Sequence, residues 1–361
     1  MSPTVTICVP AYNAALYLPQ ALESALAQTF SDFELVLVDN ASTDGTFAIA
    51  EKYTGWDRRI RLFKNGRNLG SVGNFNRCID LARGEWIKFL CADDWLEPGC
   101  IERFIAKNRR GVLVMTCIEN YVCEQGMEES QRRLHSEYWA NHCLLLSRHF
   151  PGKSFISADE FAALLAEDPT LNSISLNSAM VHRTAFERFG RFNSDLLTLD
   201  DWEFFARIAL QTGLINLSDV LTNCRIHSGS YGSTTHTRRP FKMDILSPLI
   251  IWHEVVYSPV YAKVRTAAAA RNVNLQYRLV EFAREARLSA ANYAKRPRHP
   301  DPHAVADWDE TVKRYPRLLS VPVGYYFSKS WQRGKRILRR AKAALIRHSH
   351  RASLDKRSPL R

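Results

Sequence analysis

Short apolar runs alternate with segments of helical periodicity through residues 1–118. Strand-like runs, rich in β-branched and aromatic residues, lie at Val5–Val9, Glu34–Val38, Ile60–Phe63, Trp86–Leu90 and Val112–Cys117. Segments with apolar residues at helical spacing lie between them, at Tyr17–Gln28, Thr46–Tyr53, Val72–Ala82 and Pro98–Asn108. This alternation predicts an α/β fold, in which βαβ units build a Rossmann-like, mostly parallel sheet with helices on both faces.

The pattern is less regular beyond residue 118 and becomes helical near the C-terminus. We predict helices at Ser130–Leu146, Ala158–Ala166 and Asp201–Thr212, and a last strand near Val220–Ile226. After Arg238 the chain is Ala-rich with helical spacing, most clearly at Ala262–Ala294, and a Pro-rich break follows at Arg296–Pro300. We therefore divide the chain into a body over residues 1–238, a helical C-terminal region over 239–330 and a tail over 331–361.

Polar residues follow three of the predicted strands, at Pro10–Asn13, Asp39–Ser42 and Asp93–Trp95. Ligands of parallel α/β sheets bind beyond the carboxyl ends of the strands. Asp39 ends a buried strand, where its carboxylate could accept N–H groups of a nucleobase or ribose hydroxyls. The alternative is a plain turn from strand to helix, with Asp44 as a capping residue.

Two acidic pairs carry further candidate chemistry. Asp93 and Asp94 could hold Mg²⁺ or Mn²⁺ bridging a diphosphate, because adjacent carboxylates are costly without a cation; the alternative is a solvated helix N-terminus. Asp200 and Asp201 begin a predicted helix, where a carboxylate could act as general base toward a sugar hydroxyl. His227 follows the last strand, and its imidazole is either structural or part of the same site.

The composition is that of an ordinary globular protein. The 361 residues suffice for about two domains, and 46% hydrophobic with 24% charged residues exclude a mainly disordered, collagen-like or disulfide-scaffold protein. Eight cysteines without a CxxC pair predict free thiols in a reducing cytosol. We expect no signal peptide, and no transmembrane helix because prolines and charges interrupt the longest apolar stretch, Ile245–Val264.

Taken in order, these segments resemble the inverting nucleotide-sugar glycosyltransferases of family 2, which have the GT-A fold. The resemblance covers about residues 4–228, and its signature is Val9–Asn13, Val38–Thr46, Asn68–Gly70, Asn76, Arg83–Ile87, Asp93–Trp95 and Asp200–Glu203. It implies a GT-A catalytic domain over residues 1–238, with a donor half at about 1–118 and an acceptor half at about 119–238.

The resemblance also implies the residues of the site. The donor would be bound by Pro10, Ala11, Tyr12, Asn13, Asp39, Arg67, Asn68, Gly70, Asn76 and Asp93. A divalent metal, Mn²⁺ or Mg²⁺, would be bound by Asp93, Asp94 and His227. The family's DxD motif maps onto Cys91-Ala92-Asp93, so cysteine replaces its first acid, and we do not expect a soft thiolate to bind a hard cation.

Asp201 matches the general base of the family. The implied reaction is a single in-line displacement at the anomeric carbon, in which Asp201 takes the proton of the acceptor hydroxyl and the configuration inverts. The donor would be a nucleoside-diphosphate sugar, and the acceptor a glycan or a lipid-linked acceptor in bacterial surface polysaccharide synthesis. Two other functions stay open: a catalytically silent nucleotide-sugar binding protein, and a nucleotidyltransferase that would lack a Gly-rich, lysine-containing phosphate loop.

The positive charge is concentrated in the tail. Residues 331–361 contain 11 Lys or Arg and a single acid, Asp355, and so hold +10 of the net charge of +12. Ile337, Leu338, Ala341 and Leu345 would lie on one face of a basic helix, which could bind an anionic membrane surface. We therefore expect a cytoplasmic protein, peripheral on the cytoplasmic face of the inner membrane. The alternative is a solvated basic tail, and no motif of a nucleic-acid-binding fold accompanies the charge.

Overall fold

A computed structural model describes residues 2–127, 142–171, 174–230, 238–297 and 300–320. The strands in these ranges are β1 (Val5–Ala11), β2 (Phe33–Asp39), β3 (Ile60–Lys64), β4 (Trp86–Phe89), β5 (Trp95–Leu96), β6 (Val114–Cys123), β7 (Phe155–Ile156), β8 (Ala179–His182) and β9 (Leu214–Ile226). They form one sheet in the order β3-β2-β1-β4-β8-β6-β9-β5, and β7 also pairs with β9.

The helices in the same ranges are α1 (Leu18–Leu26), α2 (Thr46–Thr54), α3 (Gly70–Leu81), α4 (Cys100–Ala106), α5 (Leu145–His149), α6 (Ala158–Leu165), α7 (Thr184–Phe189), α8 (Asp200–Thr212), α9 (Ser247–Tyr257), α10 (Ala262–Ala270), α11 (Leu275–Ala294) and α12 (Ala304–Arg314). A π-helical turn at Lys242–Leu246 leads into α9. The predicted α/β fold, with a mostly parallel sheet and a helical C-terminal region, is confirmed.

The two faces of the sheet bury separate cores, as the apolar runs predict for strands covered on both sides. On β1, Ile7 and Val9 face a core that includes Leu22 of α1 and Phe104 of α4. Cys8, between them, faces a second core with helices of the later half of the sheet. The strands β3, β2, β1 and β4 are mutually parallel, so their carboxyl ends share one edge.

The sheet changes direction beyond β4. β8 is antiparallel to both β4 and β6, and β6 is parallel to β9. β5 and β7 are antiparallel to β9, and at two residues each they are too short to be recognised from alternation in the sequence. The long strand β9 therefore returns beside β6 and ends at Ile226, immediately before His227.

The helical pattern of the C-terminal region is divided at one point. Over Ala262–Ala294 the chain forms two helices, α10 and α11, with a break between them that the pattern did not indicate. Asn272 adopts a positive φ of 55°, which ends α10, and the Asn274 side chain accepts the Tyr277 N–H at 2.8 Å to cap α11. An Asn pair can end one helix and begin another inside an apolar periodicity.

Two predictions fall largely outside the described residues. Of the helix expected at Ser130–Leu146, residues 130–141 are not described, and neither is the tail over 331–361. Within the described ranges, no helix combines the length and apolar character that crossing a bilayer requires. All eight cysteines are free thiols in the structure.

Candidate active site

The ends of β1 and β2 meet at the carboxyl edge of the sheet. Ala11 and Asp39 are register partners, and the Asp39 side chain is buried. Its two carboxylate oxygens lie 3.4 and 3.3 Å from the Ser42 N–H nitrogen, so a backbone donor faces the acid. Tyr12 is 48% exposed beside it. The predicted nucleoside-binding residues therefore lie together at one edge.

The loops after these two strands are bound to each other. Asn13 and Ala41 both have positive φ, 48° and 58°, which turns the backbone sharply at the strand ends. The Asn13 N–H donates to Ser42 Oγ at 3.0 Å, and Asn13 Oδ1 accepts the Thr43 N–H at 2.8 Å. Asn13 is therefore in place as a loop-fixing residue of the predicted donor site.

A network of buried amide side chains holds the loop after β3, and the sequence prediction missed it. Asn40 Oδ1 accepts from the Asn65 side chain and from the Leu69 N–H, both at 2.9 Å. Asn40 Nδ2 donates to Asn68 Oδ1 at 3.0 Å and to the Gly70 carbonyl at 3.1 Å. The network brings Asn68 and Gly70 beside the end of β2. Buried amides require partners, but the partners are distant in sequence and leave no local signal.

Two further predicted donor residues, Arg67 and Asn76, lie apart from each other in the structure. Arg67 is exposed on the same loop as Asn68. Asn76 lies further along α3, and its amide donates to the Phe192 carbonyl at 3.4 Å. The structure therefore leaves Arg67 exposed on the loop after β3 and directs Asn76 toward the segment that precedes α8.

The first acidic pair meets the end of β9. Asp93 Oδ2 lies 3.1 Å from His227 Nε2. Asp94 is buried and accepts the Arg225 N–H at 2.7 Å and the Asn177 amide at 3.0 Å. Burial, and then the charges of Asp93 and Glu119, raise the pKa of Asp94 well above its ordinary value, against the opposing effect of the Arg225 N–H. The three predicted metal ligands therefore lie together at the end of β9.

The chemistry of this donor set fits a divalent cation. One ligand atom each from Cys91, Asp93 and Asp94 lies within 4.8 Å of the other two, and the His227 imidazole adjoins Asp93. Carboxylates and imidazole suit Mn²⁺, whereas a thiol suits softer ions. The cluster can therefore hold a cation, and Cys91 is the donor that departs from a hard-cation site.

Arg225 stabilises this cluster, and the sequence prediction missed it. Its guanidinium lies over the Tyr17 and Trp95 rings, 4.9 and 5.0 Å from their centroids, and its Nε–H donates to the Asp93 carbonyl at 3.0 Å. The Tyr17 ring also contacts His227, with centroids 4.6 Å apart. Two aromatic rings and a cation thus fix the end of β9 against the acidic pair. The sequence signal was its position two residues before His227.

The second acidic pair opens α8. Leu199 precedes it with a φ of 65°. Asp201 Oδ1 accepts the Trp202 N–H at 2.7 Å, and Oδ2 accepts the Leu176 N–H at 2.8 Å. Burial raises the pKa of Asp201, and these two N–H groups oppose the rise. A raised pKa makes a carboxylate a stronger proton acceptor, which suits a general base.

One short turn joins the two acidic pairs, and no sequence motif pointed to it. The N–H of Leu176 donates to Asp201, as above, and the side chain of its neighbour Asn177 contacts the other pair. Asn177 Oδ1 accepts the Cys91 N–H at 3.2 Å, and its Nδ2 donates to Asp94. The buried Lys88 ammonium donates to the Asn177 carbonyl. The turn therefore fixes the candidate base relative to the candidate cation site.

Known proteins resemble this chain in sequence. Residues 6–169 match the family model described as Glycosyl transferase family 2. An uncharacterized glycosyltransferase of Haemophilus influenzae is 26% identical over 235 residues, which are 64% of this chain and 68% of that protein. Chondroitin synthase of Escherichia coli is 36% identical over 116 residues, which are 32% of this chain and 17% of that protein. The match to chondroitin synthase thus covers a small part of the relative.

Solved structures share the fold. The structure of S. aureus TarS 1–349 in complex with UDP-GlcNAc has a TM-score of 0.54 at 16% identity, with 87% of this chain and 92% of that chain covered. The mannosyltransferase PcManGT from Pyrobaculum calidifontis, in complex with GDP-Man and Mn²⁺, has a TM-score of 0.52 at 18% identity, with 88% of each chain covered. These likenesses confirm the fold class expected from the sequence.

Proposed function

We propose that this chain moves a sugar from a nucleoside-diphosphate donor to a hydroxyl of a glycan or lipid-linked acceptor, because residues 6–169 match the family 2 glycosyltransferase model. The observation that supports this reaction best is the turn at Leu176 and Asn177. It ties a carboxylate suited to a general base to an acidic pair suited to a diphosphate-bound cation. Bacterial surface polysaccharide synthesis is the proposed context, since chondroitin synthase is among the relatives.

The nucleoside binds at the carboxyl edge of β1 and β2 in this proposal. The buried Asp39 carboxylate accepts N–H groups of the base, because its single described backbone contact, the Ser42 N–H, is long at 3.3 Å. Tyr12 lies beside it with an exposed ring, which can cover the base. Asn68 and Gly70 line the ribose and diphosphate side, where the amide network of Asn40 holds them.

Asp93, Asp94 and His227 hold the divalent cation in this proposal, and TarS and PcManGT support a nucleotide-sugar donor because their structures contain UDP-GlcNAc and GDP-Man. A bound cation would neutralise the charge that develops on the leaving diphosphate. Asp94 remains fixed by the Arg225 N–H and the Asn177 amide, so the cluster keeps its shape without rearrangement.

Asp201 accepts the proton of the acceptor hydroxyl as that oxygen attacks the anomeric carbon, and inversion follows from a single displacement. The two N–H groups on its carboxylate fix its orientation. General-base catalysis contributes about 10²–10⁴-fold to a rate, so Asp201→Asn should lose most of the turnover and keep donor binding. Turnover of Asp201→Asn at the wild-type rate would contradict the assignment.

The experiment that tests the function is a thermal-shift panel of uridine, guanosine and thymidine diphosphates, each with and without Mn²⁺. A ligand at 100 times its dissociation constant adds about 2.7 kcal/mol to the free energy of unfolding, so the binding nucleotide should raise the midpoint. Stabilisation by one nucleotide together with metal names the donor class. A panel without any shift would contradict the proposed donor site.

A catalytically silent nucleotide-sugar binding protein is the second candidate. The observation that favours it is Cys91, which stands where the family has the first acid of its DxD motif. The two functions separate in one assay: the protein is incubated with the sugar form of the nucleotide that stabilises it, together with metal, and release of nucleoside diphosphate is measured. Release above the rate of Asp201→Asn favours the transferase.

We propose that the chain binds a membrane surface peripherally. The basis is the positive charge of residues 331–361, which lie outside the described residues. Each basic residue near an anionic surface contributes about 1 kcal/mol of attraction. The full chain should therefore co-sediment with anionic liposomes, and a chain shortened before Trp331 should not. Equal sedimentation of both would contradict this role.

A further inference from the structure

We propose that Cys91 makes the cation site a mixed sulfur and oxygen site, which binds zinc or cadmium ions more tightly than manganese or magnesium ions. The proposal rests on the proposed function only in its location, because it concerns two of the same side chains, Asp93 and Asp94, together with Cys91. Residue 91 is a cysteine, at the position where the resemblance to family 2 implies the first acid of the DxD motif. A thiophilic ion would therefore compete at this site with the hard cation that the transferase would use.

The ligand atoms of Cys91, Asp93 and Asp94 are close enough for one ion. The Cys91 sulfur and one oxygen from each carboxylate all lie within 4.8 Å of one another. Zinc binds thiolate sulfur at about 2.3 Å and carboxylate oxygen at about 2.0–2.2 Å, which puts neighbouring ligands of one ion within this range. The spacing of the three atoms is therefore compatible with one shared ion.

The three donors sit on a backbone that is already fixed. The Cys91 N–H donates to Asn177 Oδ1 at 3.2 Å, and the Asp94 N–H donates to the Cys91 carbonyl at 3.1 Å. Asn177 and the Arg225 N–H hold the Asp94 carboxylate. Fixed outer contacts of this kind orient metal ligands before an ion arrives.

The donor atoms decide which ion is preferred. Thiolate is a soft ligand, whereas Mg²⁺ and Mn²⁺ favour oxygen. Manganese also lies at the weak end of the affinity order for divalent first-row metals, and zinc lies near the strong end. The His227 nitrogen, 3.1 Å from Asp93, strengthens this preference, because imidazole suits zinc. An acid at position 91 would have given an oxygen site.

The test is a cadmium titration of the purified full chain, read by the ultraviolet charge-transfer absorption of a cadmium–thiolate bond. The wild type should develop this band and saturate at one ion per chain. Cys91→Ser should lose the band, with at least the ~10–100-fold loss of affinity that changing an outer contact of a metal site causes. The matched control is Cys123→Ser, a half-buried thiol at the end of β6, and it should keep the band.

Two further measurements, of manganese release by the wild type and by Cys91→Asp, test the ion preference. Manganese bound by the wild type, followed by its electron paramagnetic resonance signal, should be released by equimolar zinc. Cys91→Asp should need a higher zinc concentration to release the same fraction of its manganese, because zinc outranks manganese at oxygen sites by less. A wild type without the band, or a Cys91→Ser variant that keeps it, would overturn the proposal. The nucleotide panel is scored separately, so failure of the donor site leaves the cadmium result intact, and the reverse also holds.

Discussion

Asn177 is the residue on which both acidic pairs depend. Its side chain accepts the Cys91 N–H and donates to Asp94, while the N–H of the preceding Leu176 donates to Asp201. Leaving a buried partner unsatisfied costs about 1–3 kcal/mol, so Asn177→Ala should lower the free energy of unfolding by an amount of that order. It should also reduce the extra stabilisation that metal and nucleotide give together. Urea unfolding with and without ligand measures both effects.

The control for this prediction is Asn292→Ala, on the exposed side of α11. It should not lower the unfolding midpoint, because Ala is a better helix former than Asn, and it should leave the shift caused by ligand unchanged. An Asn177→Ala protein that loses stability but keeps the full ligand shift would mean that the turn supports the fold and not the site.

The buried Asp200 carboxyl makes the free energy of unfolding depend on pH. It is buried, its Oδ2 has no hydrogen-bond partner among the described residues, and burial, then the charges of Asp201 and Glu203, raise its pKa. The folded protein therefore retains this proton after the unfolded chain has lost it, so the stability contribution of Asp200 falls as pH rises above the ordinary carboxyl range. Asp200→Asn should gain stability over the wild type as the pH is raised through and above that range.

Urea unfolding across this rise in pH measures the gain. Asp309→Asn, on the exposed side of α12, is the control and should follow the wild type at each pH. A constant difference between Asp200→Asn and the wild type at all pH values would show that the buried proton does not titrate in this way.

At the residue scale, the sequence predicts a site residue when that residue belongs to a short motif along the chain. Asp93, Asp94 and Asp201 stand in short motifs, so the order of residues along the chain is enough to identify them. Asn177 gives no such signal, because its contacts lie 83 and 86 residues away along the chain. Its importance comes from tertiary packing, which no single-sequence pattern records.

At the scale of elements, the connection from α3 to β4 depends on Gly84. Its N–H donates to Thr6 Oγ1 at 2.8 Å, and a Cβ built on it would lie 2.4 Å from the Thr6 nitrogen and 2.6 Å from the Val5 carbonyl carbon. Backbone atoms cannot yield as a flexible side chain can. Overpacking costs about 1–3 kcal/mol or more, so Gly84→Ala should lower the unfolding midpoint by pushing β4 away from β1.

Gly66→Ala is the matched control, because nothing lies within 4 Å of its Cβ position. Its unfolding midpoint should stay near that of the wild type. Equal loss in both variants would mean that the close approach of Gly84 to β1 is not the cause, because the lower entropy of the unfolded chain favours folding at either position.

Elements were predictable where they are long and buried. The seven residues of β1 and of β2 lie in largely apolar runs, and the structure confirms these strands with ends extended by one or two residues. The two residues of β5 carry no periodicity, and pairing with β9 alone makes them a strand. The break at Asn272 was hidden for the opposite reason, because the Ala-rich helical pattern continues through it.

At the scale of the whole molecule, the helical C-terminal region supports the segment that leads to the candidate base. Ser247, at the start of α9, accepts the Leu197 and Thr198 N–H groups at 3.2 and 3.4 Å. The Tyr315 hydroxyl donates to Asp195 at 2.6 Å. This segment ends at Leu199, whose positive φ sets the direction of α8, so a helix distant in sequence bears on the position of Asp201.

Ser247→Ala tests this connection. Two N–H groups lose their acceptor, and the segment before α8 gains freedom, so the turnover number should fall several-fold while the nucleotide shift with metal stays unchanged. Such a split is expected because Ser247 bonds to the segment before α8, and a small misplacement of a reacting group can cost ~10²-fold in rate. Ser258→Ala, at the other end of α9, is the control for general weakening of the helix. If Ser247→Ala lowered nucleotide affinity and turnover together, the helical region would act on the whole domain and not on the base.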